Sequence, residues 1–334
     1  MKKFDQILGD LKKQIYHPVY FLAGEEPYYI DQISNYIAEH VLTESEREFN
    51  QTILYGRDTS MDAVLVEAKR FPMMANYQVV IVREAQHLKN LEVLESYMQK
   101  PQSTTILVFC YKYKNPDKRK SYVKAIDKKG VLFVAERLRD YQVPDWIERY
   151  LAARKFTITP KATVLLTEYL GTDLDRIHNA LQKLIITDPP DHQITPELIE
   201  RYIGINNDYN SFELQKAIGT GNIAKANQIV NYFARNEKEH PMVLTMGSLY
   251  YFFSKLLLYH VHKRKPRNEL AAALRVNPYF LKDYERYAKH FNPSQTRDAI
   301  RILRDYDLKS KGVGNASNSQ GELLQEMVWR LMHA

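Results

Sequence analysis

Glu67-Ala-Lys-Arg-Phe-Pro-Met-Met-Ala-Asn-Tyr-Gln-Val-Val-Ile-Val-Arg-Glu84 is the stretch on which the reading of this chain turns. Up to Arg70 the apolar residues Met61, Val64, Leu65 and Ala68 recur at helical spacing. Gln78 to Val82 is a run of β-branched residues, the pattern of a strand buried on both faces. Between them lies Phe71-Pro72-Met73-Met74. Pro72 has no backbone N–H and biases Phe71 away from helix, so the helix ends there and both methionines fall in the link. Methionine is flexible and polarizable, which suits a plug entering a partner's apolar pocket. It equally suits the chain's own core, where most apolar residues go.

The same alternation extends outward on both sides. Residues 2–14 read as an amphipathic helix, 18–23 as a strand, Pro27 to about Leu42 as a helix and 49–55 as a second strand. Helix 60–70 and strand 78–83 follow, then helix 87–99, strand 104–110, a basic helical segment 117–129 and strand 131–135. Five strand–helix alternations imply a parallel sheet covered on both faces, with ligands expected at the strand C-terminal ends. After Arg139 no further strand is expected. Residues 143–203 read as four short helices, with Thr195 as N-cap and Pro196 in the first turn of the last. Residues 204–210 read as a linker, and helices are expected over 211–219, 222–236, 241–263, 267–275, 278–290, 294–309 and 320–333. Segment 243–261 is apolar on most sides, which predicts a central buried helix. Lys311 to Asn318 reads as a flexible loop. The expected domains are 1–140, 141–205 and 206–334.

Composition bounds the function. The 334 residues are 45% apolar and 26% charged, ordinary for a globular protein. No apolar run reaches transmembrane length and the N-terminus lacks a signal peptide's apolar core, so a cytoplasmic protein is expected. The single cysteine, Cys110, excludes an intrachain disulfide and a multi-cysteine zinc site. The net charge of +7 is uneven: residues 1–140 carry 21 basic and 19 acidic groups, 141–205 carry 7 and 9, and 206–334 carry 19 and 12. The surplus in the last third fits an acidic partner, and nucleic acid is the first candidate.

Catalytic motifs are missing where the layout would put them. The first strand-to-helix turn is Gly24-Glu25-Glu26-Pro27. A phosphate-binding loop needs glycines and a Lys-Ser or Lys-Thr there. Two carboxylates would repel a triphosphate, and no glycine in the chain is followed by lysine. Arg83 stands where a magnesium-binding Asp would be expected, with Glu84 beside it. His260 and His262 lack a nearby third ligand, so no metal or other cofactor is expected. Two basic runs remain, 112–129 and 260–267. The first holds eight Lys/Arg with Tyr111, Tyr113 and Tyr122 interleaved or adjacent, which fits phosphate contact and base stacking or a solvated helix face.

Four segments together resemble a known family: Pro18-Val-Tyr-Phe-Leu-Ala-Gly-Glu-Glu-Pro-Tyr28, Phe71-Pro-Met-Met-Ala-Asn-Tyr-Gln-Val-Val80, Asp117-Lys-Arg-Lys120, and Gly171-Thr-Asp-Leu-Asp-Arg-Ile177 leading to Leu181, Lys183 and Leu184. The chain resembles the delta subunit of the bacterial DNA polymerase III clamp loader, an AAA+-type fold without ATPase motifs. The resemblance covers nearly all of the first 205 residues. It implies a RecA-like AAA+ parallel-sheet domain, a small helical lid and an all-helical C-terminal collar. It implies a non-catalytic subunit of the polymerase holoenzyme, without intrinsic ATPase activity. The implied partners are the sliding clamp (beta subunit), gamma/tau ATPase subunits and a delta-prime subunit in a hetero-pentamer, and primed DNA; no membrane is involved. By position, Phe71, Met73 and Met74 are the implied clamp-binding residues, although the family more often has Leu-Phe or Phe-Phe in place of the two methionines. Lys118, Arg119 and Lys120 are candidate contacts to DNA or a neighbouring subunit. The alternatives are a nucleic-acid-binding module without a clamp role and a degenerate AAA+ ATPase.

Overall fold

The computed structural model describes residues 3–205, 209–314 and 317–334. The chain divides into two compact units, Met1–Arg139 and Asp140–Ala334.

The first unit runs α1 (Phe4–Lys12), β1 (Val19–Gly24), α2 (Pro27–His40), α3 (Glu44–Asn50), β2 (Gln51–Tyr55), α4 (Met61–Ala68), β3 (Gln78–Arg83), α5 (Leu94–Gln99), β4 (Thr105–Lys112), α6 (Ser121–Lys129) and β5 (Val131–Ala135). The five strands form one parallel sheet in the order β2-β3-β4-β1-β5. Alternate side chains of the central strands fill two cores. Val79, Ile81, Ile106 and Val108 join Ile7, Leu11, Ile30, Ile33 and Ile37 from α1 and α2. Val80, Val82, Leu107 and Phe109 join Val64, Leu94 and Ile126 from α4, α5 and α6. This is why the strands read as continuous apolar runs rather than as alternating ones. Cys110 lies in the first of these cores, and burial pushes its thiol pKa above the ordinary value.

Three local expectations are corrected. Phe49 is helical, not strand: the Thr43 N–H donates to the Glu46 carboxylate at 2.8 Å, a helix start that sets α3 ahead of β2. The expected helix 87–99 survives only as α5, because Asn90 takes a left-handed conformation (φ 60°) and splits the segment into short turns. The basic segment becomes helical only at Ser121, since the Asp117 carboxylate accepts the Arg119 N–H at 3.0 Å and holds a turn.

The second unit opens with α7 (Val143–Ala152), β6 (Thr157–Ile158), α8 (Pro160–Leu170), α9 (Leu174–Ile186), β7 (Gln193–Ile194) and α10 (Pro196–Ile203). β6 and β7 pair in parallel, so strands do not end at Arg139; two residues each are too short to leave a periodic signal. Next come α11 (Ser211–Gly219), α12 (Ile223–Arg235), α13 (Met242–His262), α14 (Arg267–Leu274), α15 (Leu281–His290), α16 (Pro293–Ser310) and α17 (Gln320–Met332) around one apolar core. The expected linker 204–210 and loop 311–318 fall partly on 206–208 and 315–316, outside the described residues.

Helix α13 corrects two expectations. It is long and apolar enough to cross a membrane by length and composition. Yet Met242, Thr245, Met246, Leu249, Phe252, Phe253 and Leu256 are buried in the helical core, the behaviour of a core helix. Its other face is not buried: Val243, Leu244, Tyr250, Tyr251, Leu258 and Val261 are exposed.

Candidate functional site

The two ends of the sheet differ. At the strand C-terminal ends, where a nucleotide would be expected, every donor of the Gly24–Tyr28 turn is engaged. Gly24 N–H donates to the Lys114 carbonyl at 3.0 Å. The N–H groups of Glu25 and Glu26 both donate to the Ala135 carbonyl, at 2.9 and 3.4 Å. Pro27 has none, and Tyr28 N–H donates to the Glu26 carboxylate, which is the N-cap of α2. A phosphate cradle needs these donors free and pointing outward. Gly24 is itself fixed at φ 124°, against the Ala135 backbone.

Beside this turn, charged pairs tie the C-terminal ends of β3 and β4 to α2. Asp31 on α2 accepts from Arg83 at 3.3 Å and from Lys112 at 2.7 Å. Arg83 also donates to the Asn35 side chain at 2.8 Å. These side chains are only 19–25% exposed, so the pairs are partly shielded from solvent. Arg83 thus carries a structural bond at the place of a metal-binding carboxylate. Glu84 is held by Arg57 at 3.0 Å.

The opposite end of the sheet carries the Phe71–Met74 link. It leaves α4 after Ala68 and enters β3 at Gln78. Phe71 is 75% exposed, Met73 55% and Met74 102%. Burial of an apolar side chain is worth about 1.5–3 kcal/mol, and the fold leaves most of it unclaimed here. Met74 is held at φ 53°, in the left-handed region. Asn50, at the end of α3, ties the backbone of Met73 on both sides. Its Oδ1 accepts the Met73 N–H at 2.6 Å and its Nδ2 donates to the Met73 carbonyl at 2.9 Å. Sequence reading missed Asn50, because its partner lies 23 residues away.

Lys118, Arg119 and Lys120 are exposed but not gathered with this loop. Arg119 is bidentate on Asp117 (2.9 and 3.0 Å), and hydrogen bonds from Arg119 hold the Asp117 carboxyl down to about 2. Lys120 reaches Glu92 at 3.2 Å. His260 is bonded to the Phe291 carbonyl at 2.8 Å. Among the described residues no cluster of three His, Cys, Asp or Glu side chains could hold a metal ion.

Residues 20–136 match the family model for DNA polymerase III, delta subunit, and residues 208–325 match that for its C-terminal domain. The chain belongs to the DNA polymerase III delta subunit family. The DNA polymerase III subunit delta of Bacillus subtilis (strain 168) is 25% identical over 312 residues, covering 90% of each chain. A solved DNA clamp loader delta protein from Bacillus subtilis superposes with a TM-score of 0.55 at 22% identity, over 99% of this chain and 100% of its own. That likeness agrees in fold: a five-stranded parallel-sheet unit followed in the chain by a mostly helical one.

Proposed function

We propose that this chain is the ring-opening subunit of a clamp loader, which binds the sliding clamp through Phe71, Met73 and Met74. The observation that carries this reading is the exposure of three large apolar side chains within four residues, on a loop that has a core available beside it. Exposed apolar clusters mark interaction sites. The mechanism is mechanical. By binding the opened ring better than the closed one, the loop shifts the ring's equilibrium, and by no more than that difference in affinity. Primed DNA then enters, and hydrolysis of ATP by the gamma/tau partners releases the ring.

The same reading divides the second unit into a lid (141–205) and a collar (206–334) that joins gamma/tau and delta-prime subunits into a hetero-pentamer in the cytoplasm. The unpartnered apolar face of α13 supports a subunit contact there. Lys118, Arg119 and Lys120 remain candidate contacts to DNA or a neighbouring subunit. DNA would have to compete with Asp117 and Glu92 for two of them, which favours weak DNA binding by the isolated chain.

The test is calorimetric titration of the purified chain with its cognate sliding clamp, beside a Met73→Ala/Met74→Ala variant checked for folding. A loss of about 2 kcal/mol or more, the size of a hot-spot contact, is expected. Equal binding by both chains would move the clamp site elsewhere. Binding by neither, with tight salt-sensitive DNA binding instead, would favour a nucleic-acid module.

A further inference from the structure

Asn50 is buried to 2% exposure, and its side-chain amide bonds the backbone of the exposed loop. Its Oδ1 takes the Met73 N–H at 2.6 Å and its Nδ2 gives to the Met73 carbonyl at 2.9 Å and to the Glu46 carbonyl at 3.0 Å. The amide therefore bonds Met73 as a neighbouring strand would, through both backbone groups of one residue. Among the described residues these are the hydrogen bonds that reach the backbone between Phe71 and Tyr77. Directly after the clip, Met74 sits at φ 53°. A residue other than glycine in that region is strained and persists where its surroundings fix it. Met74 is fully exposed and gains nothing from its own side chain in the free protein. The fold fixes the link from both sides of Met74: the clip holds Met73, and Ala75 and Tyr77 pack against the first core.

We infer that Asn50 is a positioning residue for clamp binding: it pre-sets the Met73–Met74 backbone in its displayed conformation before the clamp arrives. The inference rests on the plug reading above. It adds that affinity comes partly from order built into the free chain. A loop already held in one shape pays less entropy on binding. Methionine makes this matter more: its side chain has three rotatable bonds to order on binding, and a backbone already in place keeps that from being added to a backbone cost.

The experiment is a double-mutant cycle. Clamp affinity is measured by calorimetry for the wild type, Asn50→Ala, Met74→Ala and the Asn50→Ala/Met74→Ala pair. Thermal melting of each checks the fold, and amide hydrogen exchange is followed at Met73. Asn50→Ala is expected to stay folded with a lowered melting midpoint, since it gives up three hydrogen bonds, to exchange the Met73 amide faster, and to bind the clamp at least tenfold more weakly. In the Met74→Ala background the same change is expected to cost much less, since the residue it positions no longer contributes. Asn50→Asp keeps an acceptor for the Met73 N–H and loses the donors. It should fall between the two, and it replaces Asn50→Ala if that variant does not fold. Wild-type affinity for Asn50→Ala, or an equal loss in both backgrounds, overturns the positioning role. Unchanged affinity of the Met73→Ala/Met74→Ala variant overturns the plug reading itself and the inference with it, a result distinguishable from the others.

Discussion

The strand C-terminal end of the first unit and its strand N-terminal end spend their residues in opposite ways. At the C-terminal end, the turn that would cradle a phosphate has its amides bonded internally, and the Asp31–Arg83–Lys112 pairs tie the neighbouring strand ends to α2. At the N-terminal end, Phe71, Met73 and Met74 are displayed to solvent, with one buried asparagine bonded to the Met73 backbone. A parallel sheet offers its C-terminal ends to ligands by default. Here that end is closed and adds to stability, and the end usually left plain carries the exposed apolar surface. Changes at the closed end should therefore be felt in stability, and changes at the open end in association.

Gly24→Ala is the strongest way to break that contrast. A Cβ there would lie 2.1 Å from the Ala135 carbonyl oxygen, at a φ of 124° that L side chains rarely adopt. The clash is with backbone, so no side chain can move aside. A loss of about 4 kcal/mol is expected, the range reserved for strain at a special backbone position, read as a fall in the denaturant midpoint. A loss under about 1 kcal/mol, where surface substitutions lie, would show that the turn is not the tight closure described here.

Asp31→Ala comes next. It leaves Arg83 and Lys112 side by side without their carboxylate. Fully buried pairs broken in this way cost 3–5 kcal/mol, and these side chains are about a quarter exposed, so about 2 kcal/mol is expected. Cys110 gives the readout. Its thiol is fully buried and its pKa is raised by that burial, so labelling in the native state waits for the sheet to open. A cost of about 2 kcal/mol corresponds to roughly thirtyfold faster labelling where opening and reclosing are fast relative to the thiol reaction. Unchanged labelling would mean that the charges are spectators.

How far each end could be read beforehand follows from the span of its interactions. The strands and most helices were visible because β-branched runs and helical spacing are local. Pro72 marked the loop for the same reason. The bonds that give each end its character are long-range: Asn50 to Met73 over 23 residues, Asp31 to Arg83 over 52 and to Lys112 over 81. That Arg83 replaces an acidic residue was readable, but the identity of its partner was not. Exposure was likewise hidden. Apolar residues around α13 fit equally a helix buried on all sides and one with a free face, and only the packing separates them. The two-residue strands β6 and β7 are shorter than any periodicity can register.

The smallest expected effect sharpens the comparison most. Met73→Ser/Met74→Ser replaces two apolar side chains by polar ones at the open end. In a core this would cost several kcal/mol, since a Met-to-small change alone costs about 2–5 kcal/mol. Met74 has no burial to lose and Met73 is more than half exposed, so a change within about 0.5 kcal/mol is expected. The bonds from Asn50 go to backbone and survive the substitution. The same variant should lose most of its clamp affinity. A variant indifferent in melting and crippled in association separates display from packing, which the alanine pair alone does less sharply because alanine keeps some apolar surface. Should the serine pair instead lower the melting midpoint as much as Asp31→Ala does, the loop is part of the core in solution, and the opposition between the two ends of the sheet does not hold.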